Sequence, residues 1–396
     1  MTRENRSPYV VTAPASSHRV WKDRAPLIGR LDMELTERCN NNCIHCCINL
    51  LEDDKARLRE MSTDEVMRIL TEAVALGALS VRFTGGEPLL REDFSEIYLY
   101  ARKLGLKVML FTNARCITPE IADMLALVPP LEKIEVTVYG MTRESYEAVS
   151  RSPGSFDEFR RGIDLLLERK IPFIVKGAVL PPNRDEMEPF EEWAATLPGM
   201  DKAPSYSIFF DLRCRRDSSE KNRLINTLRA KPRDGVSILS RNRESYLKSM
   251  REFCSKFMRP PGDSLFSCGA GHGACVDAYG MVQPCLMLRH PSVVYNLKSG
   301  SLKDALTRFF PAVREMKATN PDYLSRCARC FLKGLCETCP AKSWMEHGTL
   351  DTPVEYLCEV AHEQARDLGL ILEGEKAWEV KDWEERIRRF SKNIPG

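Results

Sequence analysis

Fifteen cysteines stand in this chain of 396 residues, and they are not spread evenly. Cys39, Cys43, Cys46 and Cys47 sit near the start, and Cys268, Cys275, Cys285, Cys327, Cys330, Cys336, Cys339 and Cys358 crowd the last third. Only Cys116, Cys214 and Cys254 lie between. The first thirty residues carry no apolar stretch of the kind that marks a secretory signal. Reduced thiols serving as metal ligands or catalytic groups are therefore expected, rather than disulfides. No window approaches the ~18 uninterrupted apolar residues of a membrane helix, and the expected setting is the cytoplasm. Lys plus Arg number 58 and Asp plus Glu 56, a net charge of +2. That balance argues against a general nucleic-acid or anionic-membrane coat. At ~150 residues per domain the length suggests two or three domains.

The middle of the chain alternates. Runs rich in Val, Ile, Phe and Thr at 31–37, 80–86, 107–113, 133–140, 172–180 and 204–210 read as strands. Helical stretches fall between them, at 92–104, 119–127, 156–168, 185–197 and after Ser62, where Glu65 completes a capping box. Parallel neighbours need helical crossovers, so six such alternations predict an α/β fold with a parallel sheet. A partial (β/α)6 TIM-like barrel over 31–210 fits, because a full eight-fold barrel usually takes ~250 residues. Chemistry then belongs at the C-terminal strand ends. Those ends are Glu37 running into Cys39, then Thr84-Gly85-Gly86-Glu87-Pro88, Thr112-Asn113, Thr137-Val138-Tyr139-Gly140 and Lys176-Gly177.

Cys39-x3-Cys43-x2-Cys46 offers three thiolates from one loop. A tetrahedral zinc site would recruit Cys47 or His45 as its fourth ligand. A cubane iron–sulfur cluster would instead keep one iron free. CxxxCxxC with His45 before its last cysteine, followed by Gly85-Gly86-Glu87-Pro88 on the next strand end, closely resembles the radical S-adenosylmethionine (SAM) enzymes. The resemblance implies a [4Fe-4S] cluster on Cys39, Cys43 and Cys46 and SAM chelated to the open iron. In that family a 5′-deoxyadenosyl radical, made by reductive cleavage of SAM, takes a hydrogen atom from substrate. It further implies a SAM pocket of Gly85, Gly86, Glu87, Pro88, Thr112, Asn113, Thr137 and Arg151. Glycine lets backbone approach a ligand, Glu87 would accept from the SAM ammonium, and Arg151 would meet its carboxylate. Tyr139 stands where many relatives carry an acid, either packing on the rim or touching SAM or substrate.

The cysteines of the last third resemble the SPASM extension of radical SAM proteins, which holds two auxiliary [4Fe-4S] clusters. Carried over by order, Cys268, Cys275, Cys285 and Cys339 would hold the first, and Cys327, Cys330, Cys336 and Cys358 the second. Structural zinc or an open coordination site are the alternatives. Such a region is expected to fold around metal rather than around a large apolar core. Cys47, Cys116, Cys214 and Cys254 read as ordinary packing residues. Asp277, Tyr279 and His272 read as loop-structuring, and no catalytic base is assigned.

The domain reading is therefore an N-terminal extension (1–30), the barrel (31–210), a basic helical linker (211–260), the SPASM domain (261–365) and a C-terminal helix (366–396). Residues 211–251 hold twelve Lys or Arg against five acids, either a solvated face or a seat for an acidic substrate. Too few aromatics interleave for nucleic-acid stacking. SPASM members mostly modify peptides or proteins, so the resemblance favours a peptide maturase. The alternative is a radical enzyme acting on a small molecule such as a tetrapyrrole, by decarboxylation or dehydrogenation. A remote alternative is a non-catalytic metal-stapled binding protein. Leu286 follows Cys285 where sulfatase-maturing relatives carry an acid, which weighs against formylglycine formation. Only 38 residues precede Cys39, so a leader is expected to need a separate chain or another surface. Ferredoxin or flavodoxin is the expected electron donor.

Overall fold

The computed structural model describes residues 27–392 except 259, 267, 269, 272, 337 and 338. His272 and most of the N-terminal extension lie outside the described residues. Six parallel strands follow one another in chain order: β1 (Arg30–Thr36), β2 (Ser80–Gly85), β3 (Lys107–Thr112), β4 (Leu131–Val138), β5 (Ile174–Ala178) and β6 (Ser205–Ser207). The crossovers carry α1 (Thr63–Ala75), α2 (Phe94–Lys103), α3 (Pro119–Leu127), the pair α4 (Arg143–Ser150) and α5 (Ser155–Glu168), and α6 (Met187–Ala195). This is the partial (β/α)6 barrel. Ser62 caps α1 in a full capping box with Glu65, and Thr118 caps α3 ahead of Pro119.

Side chains alternate across the strands. Leu31, Met33, Leu35, Val81, Phe83, Val108, Leu110, Ile134 and Val136 are fully buried in one core with Ile69, Leu70, Ile97 and Ile163 of the helices. The opposite face carries Asp32, Glu34, Arg82, Thr84, Phe111, Glu135, Thr137 and Lys176, so the barrel interior is polar rather than filled with aliphatic layers.

The sheet does not stop at the barrel. β7 (Ala274–Val276) pairs in parallel with β1, and β8 (Met281–Gln283) and β9 (Tyr295–Asn296) add antiparallel, giving the order β9-β8-β7-β1-β2-β3-β4-β5-β6. Strands of two or three residues have no readable periodicity, and Cys275 in β7 had a different reading in the sequence.

Two expectations change. The cysteine-rich region has real apolar packing: Val293, Leu302 and Phe310 join the main core, and Phe331, Leu332, Leu335, Leu370 and Ile371 form a second one with Cys254. The 366–396 stretch is not one helix. Pro340–His347 is followed by Glu355–Asp367, then by turns, and helix returns only at Trp383–Lys392. Gly369 (φ 70°) and Gly374 (φ 79°) adopt left-handed conformations that break it. The basic segment folds as three helices, α7 (Ser219–Leu228), α8 (Pro232–Leu239) and α9 (Arg243–Phe257).

Candidate active site

β1 ends at Thr36, and Arg38–Cys39 pairs in parallel with Leu50–Leu51, closing 39–49 into a loop above the barrel. This loop is held from two sides. Asn42 N–H donates to Ser150 O (2.8 Å) and Ile44 N–H to Val149 O (3.0 Å), both on α4. Arg115, after β3, donates to Asn41 Oδ1 (2.6 Å), to Ser152 Oγ (3.1 Å) and to Asn40 O. From the basic segment, Arg213 pairs with Asp217 (2.8 Å) and donates to Cys46 O (3.4 Å). Lys221 Nζ reaches Asn42 Oδ1 (3.2 Å) and also Asn49.

Cys39, Cys43 and Cys46 line one cavity of ≈ 300 Å³ with Thr84, Gly85, Gly86, Phe111, Thr112, Asn113, Thr137, Tyr139 and Lys176. Burial, and then the charge of Cys46, pushes the Cys43 thiol up to about 12, and burial drives Cys39 up as well. Such buried thiols become good ligands when an iron cation offsets their charge. The fit to a cubane is one of donors and space: three thiols on one wall, with small polar groups and glycine backbone opposite. Among the described residues no three His, Cys, Asp or Glu side chains close on a single ion position; a cubane gives each cysteine its own iron. Burial lowers His45 to about 4, so it is neutral; its ring packs 5.0 Å from Phe210.

The glycines have a reason beyond the ligand. A Cβ on Gly85 would lie 2.0 Å from Thr36 O, and one on Gly86 2.1 Å from Arg38 O. Gly86 N–H and Glu87 N–H donate to these same carbonyls (2.8 and 2.9 Å). The Gly-Gly pair thus seals the end of β2 against the end of β1, while still lining the cavity. Glu87 is fully buried, and protein donors engage both of its oxygens. Oε1 accepts from Thr112 Oγ1 (2.9 Å) and Leu89 N–H (3.1 Å), and Oε2 from Asn113 N–H (2.7 Å). These contacts tie the β2 end to the β3 end. Pro88 starts the short helical turn that follows and is buried behind the cavity wall. Arg151 is not brought to the cavity: it is exposed and caps α4 in a left-handed conformation (φ 52°).

Two further cysteine groups come together. Cys275 and Cys285 line a cavity of ≈ 470 Å³ with Arg30, Asp32 and Arg82. Cys339 and Cys268 lie close enough to push up the Cys285 thiol, after burial, to about 11. Cys327, Cys330, Cys336 and Cys358 line another cavity with Tyr323, Lys333, His362 and Trp378. The four remaining cysteines have protein neighbours: Cys47 hydrogen-bonds Cys214, Cys116 accepts from Asn40 (3.2 Å), and Cys254 packs in the second core.

The profile of the Radical SAM superfamily matches residues 33–194. Residues 33–194 are a radical SAM domain. Relatives reach well beyond it. The AdoMet-dependent heme synthase of Methanosarcina barkeri is 27% identical over 332 residues, 80% of this chain and 92% of that protein. Mycofactocin maturase MftC of Mycolicibacterium smegmatis is 28% identical over 343 residues, 82% and 81% of the two chains. Native anSMEcpe with bound AdoMet shares the fold, with TM-score 0.59 and 14% identity over 92% of this chain and 99% of that one.

Tyr139, read from the sequence as rim packing or a SAM or substrate contact, is both a cavity wall and a hydrogen-bonding partner of Cys43. Other residues around the site escaped the sequence. Arg289, Glu34, Glu37, Asp277 and Arg215 form a buried ion network that joins β1 to the cysteine-rich segment and the basic segment. In it Arg289 reaches Glu34 at 2.6 Å and Glu37 at 2.9 Å, and Arg215 reaches Asp277 at 2.8 Å. Asp277 also accepts from Tyr279 N–H (3.0 Å) and Met281 N–H (2.9 Å), so its loop-structuring part is present, while Tyr279 Oη donates to Glu37 (2.9 Å). Partners as far apart as Arg289 and Glu34, 255 residues, leave no local signal. Arg213, Arg215, Arg216 and Arg229 are engaged by protein acceptors, so this part of the basic segment is a set of clamps rather than a solvated face.

Proposed function

We propose that Cys39, Cys43 and Cys46 hold a [4Fe-4S] cluster and that Gly85, Gly86, Thr112, Asn113 and Thr137 line the place of SAM. The substrate we assign is a carboxylate-bearing small molecule of the tetrapyrrole class. The observation that supports the radical reading is one cavity whose wall carries the three thiols, the Gly85-Gly86 strand end and the Asn113 and Thr137 strand ends together. When bound, the cluster and SAM supply a radical able to take hydrogen from an unactivated carbon. The chain's part is to position and exclude. Glu87 fixes the Asn113 backbone, Arg115 and Arg213 fix the cysteine loop, and His45, Phe210 and Tyr139 form an aromatic wall that keeps water from the reacting centre.

The tetrapyrrole reading is favoured by a heme synthase relative that spans most of both chains and by the charged inner face of the barrel. A second reading, a peptide maturase, is favoured by similarity to mycofactocin maturase over 82% of this chain. In either case Cys268, Cys275, Cys285 and Cys339, and Cys327, Cys330, Cys336 and Cys358, are proposed to carry two auxiliary [4Fe-4S] clusters, with ferredoxin or flavodoxin as electron donor.

The test is anaerobic. Reconstituted protein, SAM and dithionite are incubated with a tetracarboxylate porphyrin or with short acidic peptides, and 5′-deoxyadenosine is quantified. Stimulation by the porphyrin, with a mass change in it, is expected. Stimulation by peptide alone transfers the assignment to the second reading.

A further inference from the structure

Two cations on the inner face of the sheet meet on one aromatic ring. Arg82 of β2 lies with its guanidinium carbon 5.2 Å from the centroid of Phe111, and Lys176 of β5 with Nζ 4.1 Å from the same centroid. Phe111 and Lys176 line the cavity of the Cys39 loop, while Arg82 lines the cavity that holds Cys275 and Cys285. The three side chains therefore stand where the two cavities adjoin, between the proposed SAM site and the first proposed auxiliary cluster.

We infer that Arg82 and Lys176 form a subsite for the carboxylate groups of the substrate, with Phe111 under its apolar body. This rests on the tetrapyrrole reading above. Each cation now has an internal partner: Arg82 pairs with Asp32, and Lys176 with Glu135 at 2.5 Å. These pairs are not sealed in a core. Arg82 and Asp32 side chains are 17% and 13% exposed, Lys176 and Glu135 29% and 18%. Ion pairs this far buried are weak evidence for stability, because desolvation offsets their attraction, so a structural account leaves four charged residues on the barrel interior unexplained. As internal counterions they keep the cations neutralised until a ligand carboxylate arrives.

The sign of the ligand follows from which groups face the space. Arg30, Arg82 and Lys176 line the two cavities against Asp32 and Asp211, and Asp211 is bound by Lys342, whereas Glu135 lines neither cavity. Arg82 Nε is buried without a hydrogen-bond partner, although Arg30 and Cys275 also crowd its carboxylate Asp32. A buried donor left unpaired is costly and is satisfied by an incoming acceptor. Arginine and lysine bind carboxylates through charge-assisted hydrogen bonds, and Phe111, Phe209 and Phe210 give a flat apolar body surfaces to rest on.

The test is equilibrium binding to the reconstituted full chain, without reductant, followed by porphyrin absorbance and fluorescence. The probes are a tetracarboxylate porphyrin and its tetramethyl ester, which keeps the ring and removes the charge. The wild type is expected to prefer the acid. Arg82→Gln and Lys176→Gln are each expected to weaken the acid by ~10-fold or more, the worth of one charge-assisted bond, and to leave the ester alone. Arg82→Lys and Lys176→Arg, which keep the charge, are expected to retain most of the preference, separating loss of charge from loss of fold. Acid and ester bound alike by the wild type, or an intact preference in the Gln variants, would overturn the inference. So would a Lys176→Gln protein that loses SAM affinity while keeping the porphyrin preference. If the wild type binds neither porphyrin, the tetrapyrrole reading fails by itself. The subsite is then probed with a peptide bearing a free C-terminal carboxylate and with its amide: a carboxylate preference lost in Arg82→Gln supports it, and equal binding of the two overturns it.

Discussion

At the scale of single residues, the site depends on contacts that permit no extra atom. Gly86→Ala would place a methyl group 2.1 Å from Arg38 O and 2.6 Å from Glu37 O, both backbone atoms. The seam between β1 and β2 must then open, at a cost of about 1–3 kcal/mol. We expect a lower Tm and loss of SAM binding by equilibrium dialysis. Gly29→Ala, with nothing within 4 Å, should change neither. Glu87 gives a pH signature. Burial pushes its carboxyl up to about 7 from 4.5, although three hydrogen bonds pull it back. A folded pKa above the unfolded one favours the folded state at low pH, and that share is lost as pH rises from about 4.5 through about 7. Relative to Glu87→Gln, the wild type should therefore lose stability between about pH 4.5 and 7, read as a narrowing gap in Tm. A constant or widening gap would mean that Glu87 is ionised throughout. The sequence marked Gly85, Gly86 and Glu87 as a unit, because the motif is local. It assigned them to the ligand alone, because the carbonyls they pack against belong to another strand.

The elements show the same division. Five helices and six strands were legible within a few residues, since alternation of period two and caps such as Ser62 and Thr118 are written in neighbouring residues. α4 was not read, although Thr142 and Ser145 form its capping box. It is short and polar, and its importance is tertiary: Val149 O and Ser150 O hold the cysteine loop. Arg151 was placed in the site by family resemblance, but it caps that unread helix. The basic segment looked like a charged surface, yet the Arg213 side chain is only 3% exposed. Removing a buried cation from its carboxylate and carbonyl partners costs about 3–5 kcal/mol at the strong end. Arg213→Gln is expected to lower Tm and to reduce iron retained at the first site. Arg213→Lys should rescue little, because one ammonium cannot reproduce the two-pronged contact with Asp217. Full iron content and unchanged Tm in Arg213→Gln would remove it from the loop's support.

The whole molecule joins its two ends through β1. Its neighbours are β2 on one side and β7 on the other, so the strand that leads into Cys39 also carries the segment with Cys275 and Cys285. The ion network of Arg289 with Glu34 and Glu37 locks the same junction. Barrel and cysteine-rich region thus share one sheet, and each proposed cluster has its own wall of that body. Removing one ligand should then subtract one cluster. Cys275→Ala and Cys330→Ala are each expected to fall from about 12 to about 8 iron per chain, the content of two remaining cubanes. Loss of all iron would show that the sites do not load independently. The central claim is that the Cys39 loop supports reductive cleavage of SAM. The most direct test is 5′-deoxyadenosine formed from SAM and dithionite under anaerobic conditions, with iron and sulfide counted in the same protein. We expect about 12 iron and steady 5′-deoxyadenosine in the wild type, and about 8 iron with no 5′-deoxyadenosine in the triple variant Cys39→Ala, Cys43→Ala and Cys46→Ala. Zinc in place of iron, or undiminished SAM cleavage in the triple variant, would contradict it.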